Sequence, residues 1–309
     1  MKLPLKDINI IVISIVTKNK IAALFDAYRE LMADNAEALF KISMAELPES
    51  VYNSNAIENS TLTLEDTEDI LIRNEIKRNH NIREIYEAKN LASVMTAMLE
   101  DINKSIDINS FKRILELHKM LLSGIDNSIA GRFRSGKEWV AVGTHIGANP
   151  AFTNELVHEL TMKYKTDTET YFLEKIAWFH AEFETIHPFV DGNGRMGRIL
   201  INGQLMQLGY PPVIIPNKNK RKDYYPLFNE YRMSNKYDGF TRFFALLLME
   251  AMHKRLTILQ SRKISSIHDW AKASGQNVRS ALNMAKKQEL PAFRIRGRWM
   301  IDADFSTGV

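Results

Sequence analysis

The sequence predicts a mainly α protein: a helical bundle with a small β-hairpin flap, followed by a small winged helix-turn-helix domain. Three observations lead there. Apolar residues recur three and four apart over most of the chain up to Leu259, the spacing of helices with one buried face. Between Gly124 and Pro150 that spacing gives way to glycines around the short apolar run Trp139 to Val142, the pattern of a loop with a small hairpin. After Gln260 to Lys263, two short helical stretches precede an alternating pair of strands.

Taken in order, Ile8 to Val16 is an apolar run interrupted by Asn9 and Ser14. It is too short to span a bilayer and reads as a packed N-terminal segment with no membrane role. Ile21 to Lys41 reads as a helix, with Pro48 closing the region after it, and a second helix covers roughly Ser50 to Glu58. Thr63-Leu-Glu-Asp66 resembles a capping box, so a third helix starts there and runs to about His80. Further helices follow at Ile82 to Glu100, Ser110 to Leu122, Thr153 to Lys165 and Tyr171 to Ile186. Pro188 and Gly192 break the pattern, Arg195 to Leu208 restarts it, and Asp238 to Leu259 is a final long helix. In the tail, Ser266 to Ser274 and Asn277 to Lys287 are short helices joined at Gly275, and residues 293–301 are two strands turning at Arg296-Gly297. The expected units are an N-terminal helical region (1–105), a core (106–260) and a C-terminal domain (261–309).

At 309 residues, 45% hydrophobic and 25% charged, the composition is that of an ordinary globular chain and excludes a disordered one. Cysteine is absent, which removes disulfides and thiolate metal sites and fits a cytoplasmic setting. The net charge of +4 is unevenly placed: the last 49 residues carry nine Lys/Arg against four Asp/Glu. Basicity therefore belongs to the tail.

The chemistry-bearing stretch is His187-Pro-Phe-Val-Asp-Gly-Asn-Gly-Arg-Met-Gly-Arg198. Gly192 and Gly194 permit backbone geometry in which successive N–H groups face one concavity. The helix that follows adds its N-terminal N–H groups and dipole, which favour an anion. Arg195 and Arg198, three apart, project from one side of that helix as forked phosphate donors. Asp191 lies just ahead, where a hard carboxylate can hold Mg²⁺. His187, with an ordinary pKa near 6.5, can take a proton from a hydroxyl at neutral pH.

These residues match the signature of the Fic (filamentation induced by cAMP) domain, which the chain resembles from about Ser50 to Leu259. Gly131-Arg-Phe-Arg134, the Trp139 region, Ala177-Trp-Phe-His180 and Tyr224-Tyr225 look like further landmarks. The resemblance implies a Fic-type bundle that transfers AMP from ATP to a Ser, Thr or Tyr hydroxyl of a protein. His187 would be the general base and Asp191 the Mg²⁺ ligand. Gly192, Asn193 and Gly194 would line the anion loop, Arg195 and Arg198 would hold the phosphates, and Tyr224 and Tyr225 would line the nucleotide pocket. Relatives that phosphorylate carry Lys where Gly194 stands, so glycine favours AMP transfer; AMP removal and transfer of other phosphate-containing groups stay open. The flap near Trp139 to Asn149 would clamp an extended target segment.

Ser54-Asn-Ala-Ile-Glu58-Asn59 resembles the family's inhibitory motif, in which the glutamate pairs with the second arginine, here Glu58 with Arg198. A carboxylate there competes with a phosphate for the same donors.

Other signals fail. Gly131 to Glu138 nearly spells a phosphate-binding P-loop, but Glu138 stands where a Ser or Thr must meet Mg²⁺. His180, His187 and Asp191 are split by Pro188 and make no zinc motif. The rival from another class is a DNA-binding regulator. Asn277, Arg279 and Lys286 would face a groove, and Arg294, Arg296 and Arg298 would sit on a wing. The same module also serves protein docking, and a homodimer is left open.

Overall fold

The computed structural model describes residues 13–306. Most of the expected Ile8 to Val16 segment lies outside them; within them, Ile13 is buried whereas Ile15 and Val16 are exposed.

The first helix, α1 (Ile15–Ile57), is capped by Ser14, whose hydroxyl accepts from Thr17 N. One helix replaces the two expected. Pro48 lies inside it, and the break falls at Asn35 (φ −127°, ψ 23°), whose side-chain amide donates to Leu31 O at 3.0 Å. Proline removes one donor from the ladder. Burial of Leu39, Pro48, Val51 and Ile57 on both sides of it keeps the helical path. Thr63 and Asp66 form the expected capping box, but α2 (Leu64–Glu68) is short. It continues as one π-turn over Asp69–Arg73 and stops before Asn74 in the left-handed region, so the helix expected to reach His80 ends at Arg73.

α3 (Ile82–Asn103) and α4 (Phe111–Leu121) follow. A two-residue hairpin comes next, β1 (Ala141–Val142) and β2 (His145–Ile146), the flap expected from the glycines around it. Then come α5 (Thr153–Thr166), α6 (Phe172–Ile186) and α7 (Asn193–Gln207). Two helices that the spacing did not announce, α8 (Lys220–Asp223) and α9 (Tyr225–Ser234), precede α10 (Asp238–Gln260). Short helices starting beside a proline-rich loop carry little periodicity to read.

Two apolar cores share α6 and α7. Phe179, Phe183, Ile186, Met196, Ile199 and Leu200 enter one core with α3, α4 and α5. Leu173, Ile176, Ala181, Ile201 and Leu205 enter the other with α1 and α10. The link from 187 to 192 therefore joins two helices that are each packed on both sides.

The C-terminal segment has its own small core around Trp270, Ala281, Ala285, Leu290 and Ile301. Its helices α11 (Ile267–Ala273) and α12 (Val278–Lys286) agree with expectation, as do the strands β4 (Phe293–Ile295) and β5 (Arg298–Asp302). A third strand, β3 (Ile264–Ser266), was not foreseen; the antiparallel sheet runs β3-β5-β4. Of the three arginines expected on the wing, Arg298 is exposed, whereas Arg294 and Arg296 turn inward. Arg294 donates to both carboxylate oxygens of Glu250 on α10 at 2.7 and 2.6 Å, and Arg296 donates to Glu68 at 2.6 Å. These cations face acidic groups of the helical body, so the hairpin lies against that body.

Candidate active site

His187 ends α6 with φ 52°, a left-handed conformation that costs a β-carbon-bearing residue free energy. Arg134 holds it there. This buried guanidinium donates to His187 O (2.7 Å), Ile186 O (3.0 Å) and Ala148 O, while Arg134 N donates to Pro188 O at 2.9 Å. A cation on the last carbonyls of α6 also complements the helix dipole. Replacing Arg134 with alanine strands those carbonyls. The expected loss is ~3 kcal/mol of stability, measured by chemical denaturation.

The next turn is held from inside. Asn193 Oδ1 accepts from Phe189 N and its amide donates to Phe189 O, both at 2.8 Å. The Asn193 side chain thus shapes the loop, leaving its backbone at the start of α7. His118, which sequence reasoning missed, stacks on Phe189 with ring centroids 3.6 Å apart. Its Nδ1 accepts from Gly131 N (3.0 Å), so Nε2 carries the proton and donates to Asp191 O (3.0 Å). Gly192 takes φ 81° and packs against Leu121 and Leu122, so its lack of a side chain is required twice over.

Beyond the turn lies a cavity of about 1100 Å³ lined by His187, Asp191, Gly192, Asn193, Gly194, Arg195, Arg198, Tyr224, Tyr225, Glu58 and Asn59. Every residue expected at the site except Ser54 lines it, and Ser54 is bound to Arg198 behind it. The cavity can take a ligand of nucleotide size. His187 Nδ1 is buried, 3.6 Å from Glu184 Oε2, which leaves Nε2 as the nitrogen able to meet a hydroxyl. Burial holds the His187 pKa down at about 4, keeping the imidazole neutral at neutral pH. Glu184 behaves oppositely: burial, then the charge of Glu58, raises it to about 8.

Asp191 receives Arg83 from α3 and Arg195 Nη2 (3.3 Å), and Arg195 Nη1 lies 3.2 Å from Glu87. Arg83 and Glu87 gave no sequence signal; only the packing of α3 on α7 brings them here. Arg195 is buried, and its Nε has no hydrogen-bond partner among the described residues, a donor set that suits an anion. Asp191 is one-third exposed, and no group of three acidic or imidazole side chains among the described residues could hold a metal without it or with it. Mg²⁺ at such a place takes few protein ligands and completes its shell from phosphates and water, so a single carboxylate fits.

Arg198 is engaged. Its Nε donates to Ser54 Oγ (2.9 Å), and its Nη2 donates to Ser54 O (2.9 Å) and Glu58 Oε1 (2.8 Å). Burial opposes its charge, but Glu58, Tyr224 and Glu184 together raise its pKa. Glu58 Oε1 lies so close over Gly194 that a β-carbon there would collide with it. A carboxylate therefore occupies the concavity above the glycine loop. Lys220 caps the end of α1, donating to Ala56 O (2.6 Å), Ile57 O (2.8 Å) and Asn59 Oδ1 (2.9 Å), and Tyr225 donates to Ile57 O (2.6 Å). Tyr224, buried, pairs its hydroxyl with His180 Nε2 at 2.7 Å.

His118, His187 and His253 are depressed to about 4 and His180 to about 3, chiefly by burial. Their folded pKa values lie below the ordinary 6.5, so the stability they contribute is complete above that pH and is lost as pH falls toward 4. Glu184 has the opposite sign and loses its contribution as pH rises through about 8. Four groups outweigh one, so Tm is expected to fall by roughly 10 °C between pH 7 and 5 in a thermal melt.

A glycine turn feeding a helix N-terminus, two buried arginines, a carboxylate and a neutral imidazole, set between two helical cores, define a Fic-fold protein. Residues 108–205 match the Fic/DOC family. The protein adenylyltransferase Fic of Drosophila sechellia is 32% identical over 232 residues, 74% of this chain and 44% of that protein. The chain thus spans less than half the length of the curated relatives it matches. Among solved structures, a Fic-domain signaling protein from Bacteroides thetaiotaomicron superposes with TM-score 0.68 at 21% identity, covering 84% of this chain and 98% of that one. A Fic family protein from Desulfovibrio desulfuricans superposes with TM-score 0.66 at 23% identity, covering 96% and 88%. Both are likenesses of fold. Among the described residues no helix is long and apolar enough to cross a membrane.

Proposed function

We propose that this chain transfers AMP from ATP-Mg²⁺ to a hydroxyl of a protein substrate, and that it rests in a state held off by Glu58. The observation that carries the reading is the anion cradle itself. The glycine turn, the α7 N-terminus, Arg195 and Arg198 converge on one concavity, and in the resting chain a carboxylate already lies in it. The name of the curated relatives, protein adenylyltransferase, gives the group transferred.

In this reading Arg195, Arg198 and the backbone at Gly192 to Gly194 bind the triphosphate. Asp191 would hold Mg²⁺, which would supply positive charge against the phosphates. His187 accepts the proton of the incoming hydroxyl, whose oxygen bonds to the α-phosphorus as the bond to the β-phosphate oxygen breaks and pyrophosphate leaves. The protein contributes placement and fixed charge. Tyr224 and Tyr225 flank the nucleotide, and the flap, with Trp139, Val142 and Ile146 exposed, meets the target segment. Residues 1–105, 106–260 and 261–309 act as inhibitory, catalytic and accessory units. The test is incubation of Glu58→Gly protein with a cell lysate, Mg²⁺ and ATP labelled at the α- or the γ-position. Protein bands labelled from the α-position alone support the reading; label from the γ-position alone indicates a kinase.

A second role for the accessory unit, as a winged helix contacting DNA, is favoured by the exposed Arg279 and Lys286 on α12. Asn277 does not join them, since its side chain caps α12 by accepting from Ser280 N at 3.1 Å. A mobility shift on duplex DNA that weakens with salt supports this role, and no shift at low salt removes it.

A further inference from the structure

The C-terminal hairpin ends in a two-residue turn, Arg296 (φ 50°) and Gly297 (φ 75°), between the paired Ile295 and Arg298. Positive φ at both positions suits the tight turn of a hairpin. Its tip projects toward the helical body. Arg296 N and Gly297 N donate to the two oxygens of Glu49 at 3.2 and 3.3 Å, and the Arg296 guanidinium donates to Glu68 Oε2 at 2.6 Å. Glu49 opens the last turns of α1, immediately after Pro48, and Glu68 closes α2. Between them in sequence lie Ser54, Glu58 and Asn59. The hairpin is itself anchored to α10, where Arg294 makes three hydrogen bonds to Glu250 of 2.6 to 3.0 Å.

We propose that the hairpin tip is an outer clamp on the segment from Glu49 to Glu68, and that Arg296 is a positioning residue that keeps Glu58 on Arg198. The proposal rests on the reading of Glu58 as an inhibitory group. The inner end of the segment is held by Arg198, Lys220 and Tyr225, all lining the nucleotide cavity or bordering it. The outer end is held by the C-terminal module. Between this segment and the rest of α1, Pro48 removes the N–H that would bond Met44 O, so the ladder lacks one bond where the segment begins. A change at the hairpin can therefore loosen the segment without unfolding the long helix behind it. Arg296 is 58% exposed, so its ion pair alone contributes little. Reversing its charge, however, sets a carboxylate against both Glu49 and Glu68.

The experiment compares full-length wild type, Arg296→Glu, Arg296→Glu with Glu68→Arg, and Glu58→Gly. Two readouts are taken: AMP transfer from α-labelled ATP, and affinity for a non-hydrolysable ATP analogue. Arg296→Glu is expected to raise both by about fivefold, corresponding to ~1 kcal/mol, and the added Glu68→Arg to return most of the gain. If Glu58→Gly activates and Arg296→Glu does not, the clamp is wrong while the inhibitory reading stands. If neither activates, the inhibitory reading fails and takes the clamp with it. A gain that Glu68→Arg does not reverse also overturns the clamp, because general loosening would not depend on that ion pair. Arg296→Ala, expected to move in the same direction by less, serves if the reversed charge compromises folding.

Discussion

Replacing Glu58 with glycine is expected to raise AMP transfer, read as self-modification from α-labelled ATP, by about tenfold or more. The donors of Arg198 set this expectation. Its Nη2 is shared between Glu58 Oε1 and Ser54 O, and its Nε is taken by Ser54 Oγ. A γ-phosphate must find the same guanidinium free, and the Glu58 charge repels a triphosphate laid over Gly194. A charge-assisted hydrogen bond is worth ~1.5–3 kcal/mol, and partial solvation of the 44% exposed Glu58 side chain reduces this to ~1–2 kcal/mol. That range corresponds to roughly a tenfold shift in occupancy. Glu58→Gln, which keeps the shape and removes the charge, is expected to fall between the two.

Replacing His187 with alanine in the Glu58→Gly background is expected to lower transfer by about 10²- to 10⁴-fold, the range of a positioned general base. Nucleotide affinity should be nearly unchanged. The phosphate-binding groups reach the cavity from α7 and its preceding turn, whereas His187 is fixed from the other side by Arg134 and the flap. A large loss of ATP affinity in His187→Ala would mean that the imidazole binds the nucleotide. A modest loss of transfer would mean that the proton leaves by another route.

What was legible in the sequence was what is local. Residues 187–198 are contiguous, so glycine freedom, helix polarity and arginine spacing could be read together. The Thr63 capping box and the turn at Arg296-Gly297 are similarly short-range. Glu58 could be paired with Arg198 only through the resemblance of its motif, because nothing in the spacing brings residues 140 positions apart together. Arg83, Glu87, His118 and Lys220 stayed silent for the same reason: each is an ordinary helix-face residue until packing brings it to the turn. Pro48 misled because the rule that proline ends a helix omits the burial that carries α1 past it. The tail arginines misled because charge counts give sign without direction, and Arg294 and Arg296 turn inward to Glu250, Glu49 and Glu68.

The central claim, that the cradle places the α-phosphorus for attack once Glu58 is withdrawn, is tested most directly by intact-mass spectrometry. Purified Glu58→Gly protein is incubated with ATP and Mg²⁺ beside the Glu58→Gly, His187→Ala double variant. The predicted result is a mass increment of one AMP on the first protein and none on the second. An increment of one phosphate, or an AMP increment that persists without His187, would contradict it.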